Sequence, residues 1–247
     1  MKVSRGKAGM DGATISGLRE RVDSGLPSNR NPIYKQYSFM TIDWKLCFIA
    51  DATAAGDRDI MSLIRRAVLG GATIIQLRSK TWSTREFLDV AFRVKGFLER
   101  RRIPLFINDR VDIALVCGAQ GVHLGQSDMP AGEARRILGK RALIGISANT
   151  IAEACQAEKE GANYLGVGPV FFTSSKKEIL EVLGIEGFKA IRRKVRLPVL
   201  AIGGINAGNA RSLIAVGADG IAVISAISQA ADPRRAACQL KKAVLEY

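Results

Sequence analysis

Residues 105–128 read LFINDRVDIALVCGAQGVHLGQSD and contain two short apolar runs, each followed closely by an acidic residue. The first run leads to Asn108 and Asp109, and the second leads to Asp128. If both runs are parallel strands of one sheet, their carboxyl ends lie at the same edge, where such folds bind ligands. Two carboxylates at that edge suit Mg²⁺, which takes one or two carboxylates together with phosphate oxygens and water.

The alternation of apolar runs and helical patterns continues from Lys45 to Tyr247. Eight predicted strands are each followed by a predicted helix, and the strands read LCFIAD, TIIQLR, PLFIN, GVHL, LIGIS, YLGVGPVF, LPVLAIGGI and GIAVIS. Gly-Ala pairs beginning at residues 71, 118, 161 and 217 each end a helix before an even-numbered strand. We therefore predict the α/β class and a single (β/α)₈ TIM barrel, a fold that needs at least about 200 residues. The alternative is a doubly wound open sheet, although no G-x-G-x-x-G follows the first strand.

Local signals predict where several helices begin. Ser83, with Glu86 three residues later, has the spacing of a capping box after strand two. Thr150 can cap the helix after strand five, and Asn206 lies near the predicted start of the helix after strand seven. Pro233 can begin the last helix, because proline is favoured in a first turn.

Residues 1–44 are interpreted as a flexible basic N-terminal extension, and residues 45–247 as the barrel domain. The extension lacks sustained periodicity and contains the turn-rich stretch GLPSNRNPIY. A targeting peptide is an alternative that Asp11, Glu20 and Asp23 disfavour, and Met40 is an alternative start site.

The chain is strongly basic, with 37 Lys and Arg against 23 Asp and Glu and a net charge of +14. This balance is typical of proteins that bind nucleic acids, anionic membranes or phosphorylated substrates. The longest basic run of the barrel, Arg100 to Arg102, has no interleaved aromatic residues and is interpreted as a solvated helix face, so no nucleic-acid partner is expected. No apolar run approaches the roughly 20 residues of a membrane span, so no membrane partner is expected.

The cysteines and the single histidine argue against a zinc site. The four cysteines are far apart and form no C-x-x-C pair. Cys47 and Cys117 have apolar neighbours and are interpreted as core residues, which favours a cytoplasmic location. His123 lies inside a predicted strand, so we expect a packed, hydrogen-bonded residue and not a catalytic base.

If the barrel closes, the polar residues that follow its strands share one rim. Backbone N–H groups of the Gly203–Gly204 turn and of the turn after strand eight would suit a phosphate. Cations at Arg78, Lys80 and Lys176, close to the acids, would suit a more highly charged group bridged by Mg²⁺, such as pyrophosphate. The rim therefore implies two phosphorylated small-molecule ligands.

Six motifs resemble those of the thiamine-phosphate synthase family, in order and at matching separations. They are QLRSK at 76–80, INDR at 107–110, HLGQSD at 123–128, GPVFFTSSK at 168–176, AIGGI at 201–205 and VISAI at 223–227. The resemblance implies a transferase with Mg²⁺ as cofactor. It would join 4-amino-2-methyl-5-hydroxymethylpyrimidine diphosphate to 4-methyl-5-(2-phosphoethyl)thiazole, with dissociative loss of pyrophosphate before the thiazole nitrogen attacks.

The resemblance also implies three groups of site residues. The pyrimidine diphosphate would be bound by Gln76, Leu77, Arg78, Ser79, Lys80, Asn108, Ser147 and Lys176, of which Arg78, Lys80, Ser147 and Lys176 would be catalytic. The thiazole phosphate would be bound by Thr173, Ser174, Ser175, Gly204, Ile224 and Ser225. The metal ligands would be Asp109 and Asp128. Ser175 stands where the family more often has threonine, which keeps the hydroxyl.

Three other functions remain as alternatives. A thiazole tautomerase of the same fold would not need a diphosphate clamp. A phosphosugar isomerase or epimerase would need a carboxylate or histidine base facing its substrate, and a basic nucleic-acid-binding module would show salt-dependent binding to generic DNA. The sequence leaves room for a homo-oligomer and does not indicate one.

Overall fold

The structure is a computed structural model that describes residues 41–173 and 181–246. Its strands are β1 Leu46–Asp51, β2 Ile74–Arg78, β3 Leu105–Asn108, β4 Gly121–Leu124, β5 Leu143–Ala148, β6 Tyr164–Val167, β7 Val199–Ile202 and β8 Gly220–Val223. Each strand pairs in parallel with the next, and β8 closes the cylinder by pairing with β1, Ile221 opposite Leu46. The predicted TIM barrel is confirmed, and the open sheet is excluded.

Helices follow every strand and cover the outside of the barrel. They are α1 Ala52–Ala55, α2 Ile60–Leu69, α3 Thr84–Glu99, α4 Val111–Cys117, α5 Ala131–Leu138, α6 Ile151–Lys159, α7 Gly184–Arg192, α8 Ala210–Ala215, α9 Ser225–Ser228 and α10 Pro233–Leu245. Within residues 41–173 and 181–246, no helix is both long and apolar enough to cross a membrane.

The predicted signals for helix starts are found where the helices begin. Ser83 and Thr150 both form complete capping boxes, and Pro233 occupies the first turn of α10. Asn206 lies four residues before α8, in a turn where its side-chain oxygen accepts from the amide of Gly208 at 2.8 Å. Asn206 therefore lies near the start of the helix, as predicted, and its carbonyl accepts from the amide of Ala210, the first residue of α8, at 3.0 Å.

The Gly-Ala pairs end helices as predicted. Their glycines have φ angles of +102° at residue 71, +64° at 118, +85° at 161 and +100° at 217. These are left-handed conformations that glycine adopts without the steric cost of a Cβ. In each pair the following alanine is at most 6 % exposed and starts the return to the barrel.

Aromatic side chains fill the interior of the barrel. Tyr164 and Phe106 meet edge to face with ring centroids 5.2 Å apart, and Trp44 packs on Tyr164 at 4.9 Å. Trp44 and Ile42 fall within the segment interpreted as an extension, but both pack against this inner cluster. Residues 1–40, which carry the rest of that interpretation, lie outside the described part of the chain.

Inward-facing glycines make room for these rings. A Cβ on Gly145 would lie 2.1 Å from Cζ of Tyr164, and one on Gly121 would lie 2.9 Å from Cε1 of Phe106. Neither neighbour is exposed by more than 1 %, so neither ring has space to withdraw. The small residues of β4 and β5 therefore complement the large residues of β3 and β6, as in the layered core of TIM barrels.

Candidate active site

A small cavity lies inside the barrel, towards the carboxyl ends of the strands. Its lining combines apolar side chains with polar ones that project from neighbouring strands. The residues are Cys47, Ile49, Gln76, Arg78, Asn108, His123, Tyr164, Gly166, Leu200, Ile202, Ala222 and Ile224. A mostly apolar cavity with a few converging polar groups is the usual form of a small-molecule site.

Asp109 and Asp128 meet at the rim of the barrel. Their carboxyl groups share a hydrogen bond, and burial together with the neighbouring Asp128 raises the pKa of Asp109, whereas Lys80 opposes the rise. The Lys80 ammonium bonds to Oδ2 of Asp109, and Asp128 accepts from the amide of Gly125 at 2.7 Å. Asp109 has a φ of +62°, and non-glycine residues in this region concentrate at functional sites.

A second ion pair joins the first two strands. Arg78 ends β2 and bonds through Nη1 to Oδ2 of Asp51, the last residue of β1. Asp51 is only 3 % exposed, and its other oxygen accepts from the amide of Ala54 at 2.8 Å. The guanidinium of Arg78 is therefore held at the edge of the cavity.

A chain of hydrogen bonds crosses the barrel beneath the rim. The Tyr164 hydroxyl bonds to Gln76 and lies 2.9 Å from Nδ1 of His123, whose Nε2 lies 2.9 Å from Oγ of Ser147. His123 is 8 % exposed, which confirms the expectation of a packed, hydrogen-bonded histidine. The chain joins β2, β4, β5 and β6, and it fixes the orientation of Gln76 and Ser147. Gln126 adds a bond of 2.6 Å to the backbone oxygen of Ser147.

On the opposite side of the mouth, the turn after β7 packs against the segment that follows β6. A Cβ on Gly203 would lie 2.6 Å from Cα of Pro169, and one on Gly204 would lie 2.5 Å from the backbone oxygen of Phe172. Only glycine fits at either position, because both also have positive φ angles. Ile224 lines the cavity, and Ser225 begins α9 directly after it.

The remaining predicted site residues differ in where they lie relative to the cavity. Ser79 lies in the turn after β2, where its hydroxyl accepts from the amide of Trp82 at 3.0 Å. Leu77 is fully buried among the side chains between barrel and helices, so its side chain does not face the cavity. Thr173 is half-buried at the end of the segment after β6. Ser174, Ser175 and Lys176 lie outside the described residues.

Two polar residues of the site, Asp51 and Tyr164, are not singled out by the sequence analysis. Asp51 ends β1 just before a helix, and Asp109 likewise lies between β3 and a helix. The position of an acid at a strand end is therefore the sequence signal that could have identified Asp51. Tyr164 faces inward from the start of β6, and nothing in its local sequence separates it from a core residue. Its place in the cavity wall and its contacts with Gln76 and His123 connect it to the site.

Comparison with known proteins agrees with this geometry. The sequence profile of a family described as thiamine monophosphate synthase matches residues 46–227. A thiamine-phosphate synthase of Chloroflexus aurantiacus is 45 % identical over 203 residues, covering 82 % of this chain and 94 % of that protein. One from Clostridium novyi is 50 % identical over 188 residues, covering 76 % and 92 %.

A solved structure supports the same assignment. The thiamine phosphate pyrophosphorylase of Pyrococcus furiosus superposes with a TM-score of 0.76 at 41 % identity, covering 83 % of this chain and 97 % of that one. The profile match spans most of the barrel, and the curated relatives are similar over nearly their whole length. The chain therefore belongs to the thiamine monophosphate synthase family, and it is a transferase of thiamine biosynthesis.

Proposed function

We propose that the chain joins 4-amino-2-methyl-5-hydroxymethylpyrimidine diphosphate to 4-methyl-5-(2-phosphoethyl)thiazole, giving thiamine phosphate and pyrophosphate. The observation that carries the proposal is the convergence of Asp109, Asp128 and Lys80 at the rim of a cavity that holds Gln76 and Asn108. Family membership gives the reaction class, and this arrangement suits a ring with a diphosphate attached.

The two acids fit Mg²⁺ by their chemistry. Their carboxyl groups touch and are partly withdrawn from water, so the site gathers negative charge that a divalent cation would neutralise. Within residues 41–173 and 181–246 no cluster of three or more acidic, histidine or cysteine ligands occurs. Two carboxylates, with the remaining positions left to phosphate oxygens and water, is the pattern that Mg²⁺ prefers. Bound there, Mg²⁺ would supply charge stabilisation to the departing pyrophosphate.

Arg78 and Lys80 provide the cations of the protein for that leaving group. Arg78 is anchored to Asp51 by one nitrogen, and a guanidinium has five N–H donors, so others can face phosphate oxygens. Lys80 is the more exposed of the two, with 56 % of its side chain accessible, and can turn from Asp109 to a ligand. The role of Lys176 stays a prediction.

The cavity would hold the pyrimidine ring. Gln76 and Asn108 are 3 % and 9 % exposed, and their amides can donate to and accept from ring nitrogens and the amino group. Ser147, oriented by His123, would complete the contacts from β5. The thiazole phosphate would occupy the other side of the mouth, near Gly204, Ile224 and Ser225, with Thr173 to Ser175 as predicted contacts.

No protein nucleophile or strong base is required by this mechanism. An aminopyrimidine can stabilise a cation at its exocyclic methylene, so the bond to pyrophosphate can break before the thiazole nitrogen attacks. The residues of the site would hold the two rings in line and stabilise charge that builds up on the pyrophosphate. The two ring nitrogens of His123 are bonded to Tyr164 and Ser147, which agrees with a mechanism that uses no histidine base.

The test is to incubate the purified protein with both precursors, with and without Mg²⁺, and to measure thiamine phosphate and pyrophosphate. We expect product only with Mg²⁺ and both precursors. Lys80→Ala should lower kcat about a hundredfold. Lys140→Ala is the matched control, because Lys140 is exposed before β5 at the opposite end of the barrel. A folded wild-type protein that forms no product would refute the proposal and favour the tautomerase.

A further inference from the structure

Asp51 carries a buried charge that its local structural role does not explain. Its Oδ1 accepts from the amide of Ala54 and caps α1. Neutral serine, threonine or asparagine caps a helix about as well as aspartate does. A carboxylate that is 3 % exposed is costly unless its charge has a partner. The partner of Asp51 is Arg78, bound through Oδ2.

The Asp51–Arg78 ion pair links the first turn of α1 to a cation of the proposed site. Asp51 and Arg78 are register partners at the carboxyl ends of β1 and β2, and Arg78 lines the cavity. Only 14 % of the Arg78 side chain and 4 % of the Asp51 side chain are accessible. The cap on α1 fixes the carboxylate, and the carboxylate in turn fixes one edge of the guanidinium.

We propose that Asp51 is a positioning residue, which acts on the reaction by holding Arg78 in the orientation needed for the diphosphate. This inference rests on the proposed function, because it requires Arg78 to be a ligand of the diphosphate. In this role Asp51 acts through Arg78 and is not itself a ligand of the substrate. Its charge also offsets that of Arg78, so a purely electrostatic view predicts tighter diphosphate binding when Asp51 is neutralised. The positioning role instead predicts slower chemistry, and the two effects appear in different kinetic constants.

The decisive variant is Asp51→Asn, which keeps an oxygen for the amide of Ala54 and removes the charge. Asp59→Asn is the matched control, because Asp59 caps α2 by the same kind of bond and is exposed. We expect Asp51→Asn to lower kcat about tenfold without raising KM for the pyrimidine diphosphate. Asp59→Asn should stay within about twofold of the wild type.

A double-mutant cycle separates positioning from a structural effect. In an Arg78→Gln background, Asp51→Asn should change kcat by less than about twofold, because the group it positions is gone. Asp51→Ser, which also preserves the cap, replaces Asp51→Asn if that variant does not fold. The inference is overturned if neutralising Asp51 leaves kcat unchanged, or if the full loss persists without Arg78. An inactive wild type would overturn the proposed function, and the inference with it.

Discussion

Replacing Gly145 by alanine should strain the aromatic centre of the barrel. The added Cβ would lie 2.1 Å from Cζ, 2.2 Å from Cε1 and 2.5 Å from the hydroxyl oxygen of Tyr164. Ordinary contacts begin about 1 Å further out, so the ring or the strand must move. The ring cannot move freely, because it packs on Phe106 and Trp44 and its hydroxyl is bonded to His123.

The expected cost is at the upper end of the range for overpacked cores, about 3 kcal/mol. For a domain of this size each kcal/mol lowers the melting temperature by about 2–4 °C, so we expect a decrease of roughly 6–12 °C. Circular dichroism or calorimetry measures it directly. Displacing Tyr164 also disturbs His123 and through it Ser147, so kcat at a temperature well below melting should fall too.

Gly96→Ala is the matched control for this substitution. Gly96 lies inside α3, is exposed, and a Cβ there would meet nothing within 4 Å. Alanine should stabilise the helix by up to about 1 kcal/mol and leave activity unchanged. A Gly145→Ala protein that melts within about 2 °C of the wild type would refute the packing argument.

Three further outcomes follow from particular contacts. Arg135→Met should lower the free energy of unfolding by about 3 kcal/mol in chemical denaturation, because Arg135 bonds to the carbonyls of residues 139, 142 and 161 and to the side chain of residue 163. The control variant Arg136→Met changes an exposed arginine and should lower it by less than about 0.5 kcal/mol. Mg²⁺ at ten times its dissociation constant should stabilise the wild type by about 1.4 kcal/mol in thermal unfolding, and Asp128→Asn should lose most of this gain; equal gains would remove the metal assignment. Burial raises the pKa of Cys47 to about 12 and that of Cys117 to about 11, so at pH 8 both thiols should react with a disulfide reagent only after unfolding, and rapid labelling of either in the native protein would contradict their burial.

The features of the fold that could be predicted are those set by nearby residues. The capping box at Ser83 needs only Glu86, three positions away, and the left-handed glycines need only their place after a helix. Asn206 shows the limit of such signals: it lies near the start of α8, as predicted, but its side chain can serve a turn or a helix start, and its bond to Gly208 lies in the turn before the first helical residue. Local sequence does not rank two local options of similar energy.

The interior of the barrel depends on partners that are distant in the chain. Gly145 is small because Tyr164 enters from the next strand, and Gly166 is small because His123 approaches from two strands away, with a Cβ 2.9 Å from its Cε1. Neither glycine differs in its local sequence from a turn or strand glycine. The hydrogen-bond chain from Gln76 to Ser147 therefore emerges only when four strands are brought together.

The charged side chains at the rim show that a list of cations taken from the sequence does not give the net charge of the site. From the sequence, Arg78 and Lys80 were expected to form part of a positive clamp for a diphosphate. In the fold each of these cations is bonded to an acid, Arg78 to Asp51 and Lys80 to Asp109, and Asp128 adds a third carboxylate. Two positive charges and three negative ones give these five side chains a charge of 2 − 3 = −1 when all are ionised. Like charges repel, so these side chains by themselves would not attract a diphosphate, and a divalent cation between Asp109 and Asp128 would reverse their sign to +1. On the proposed function, this charge balance predicts that omission of Mg²⁺ weakens binding of the pyrimidine diphosphate as well as turnover, and equal binding with and without Mg²⁺ would contradict it.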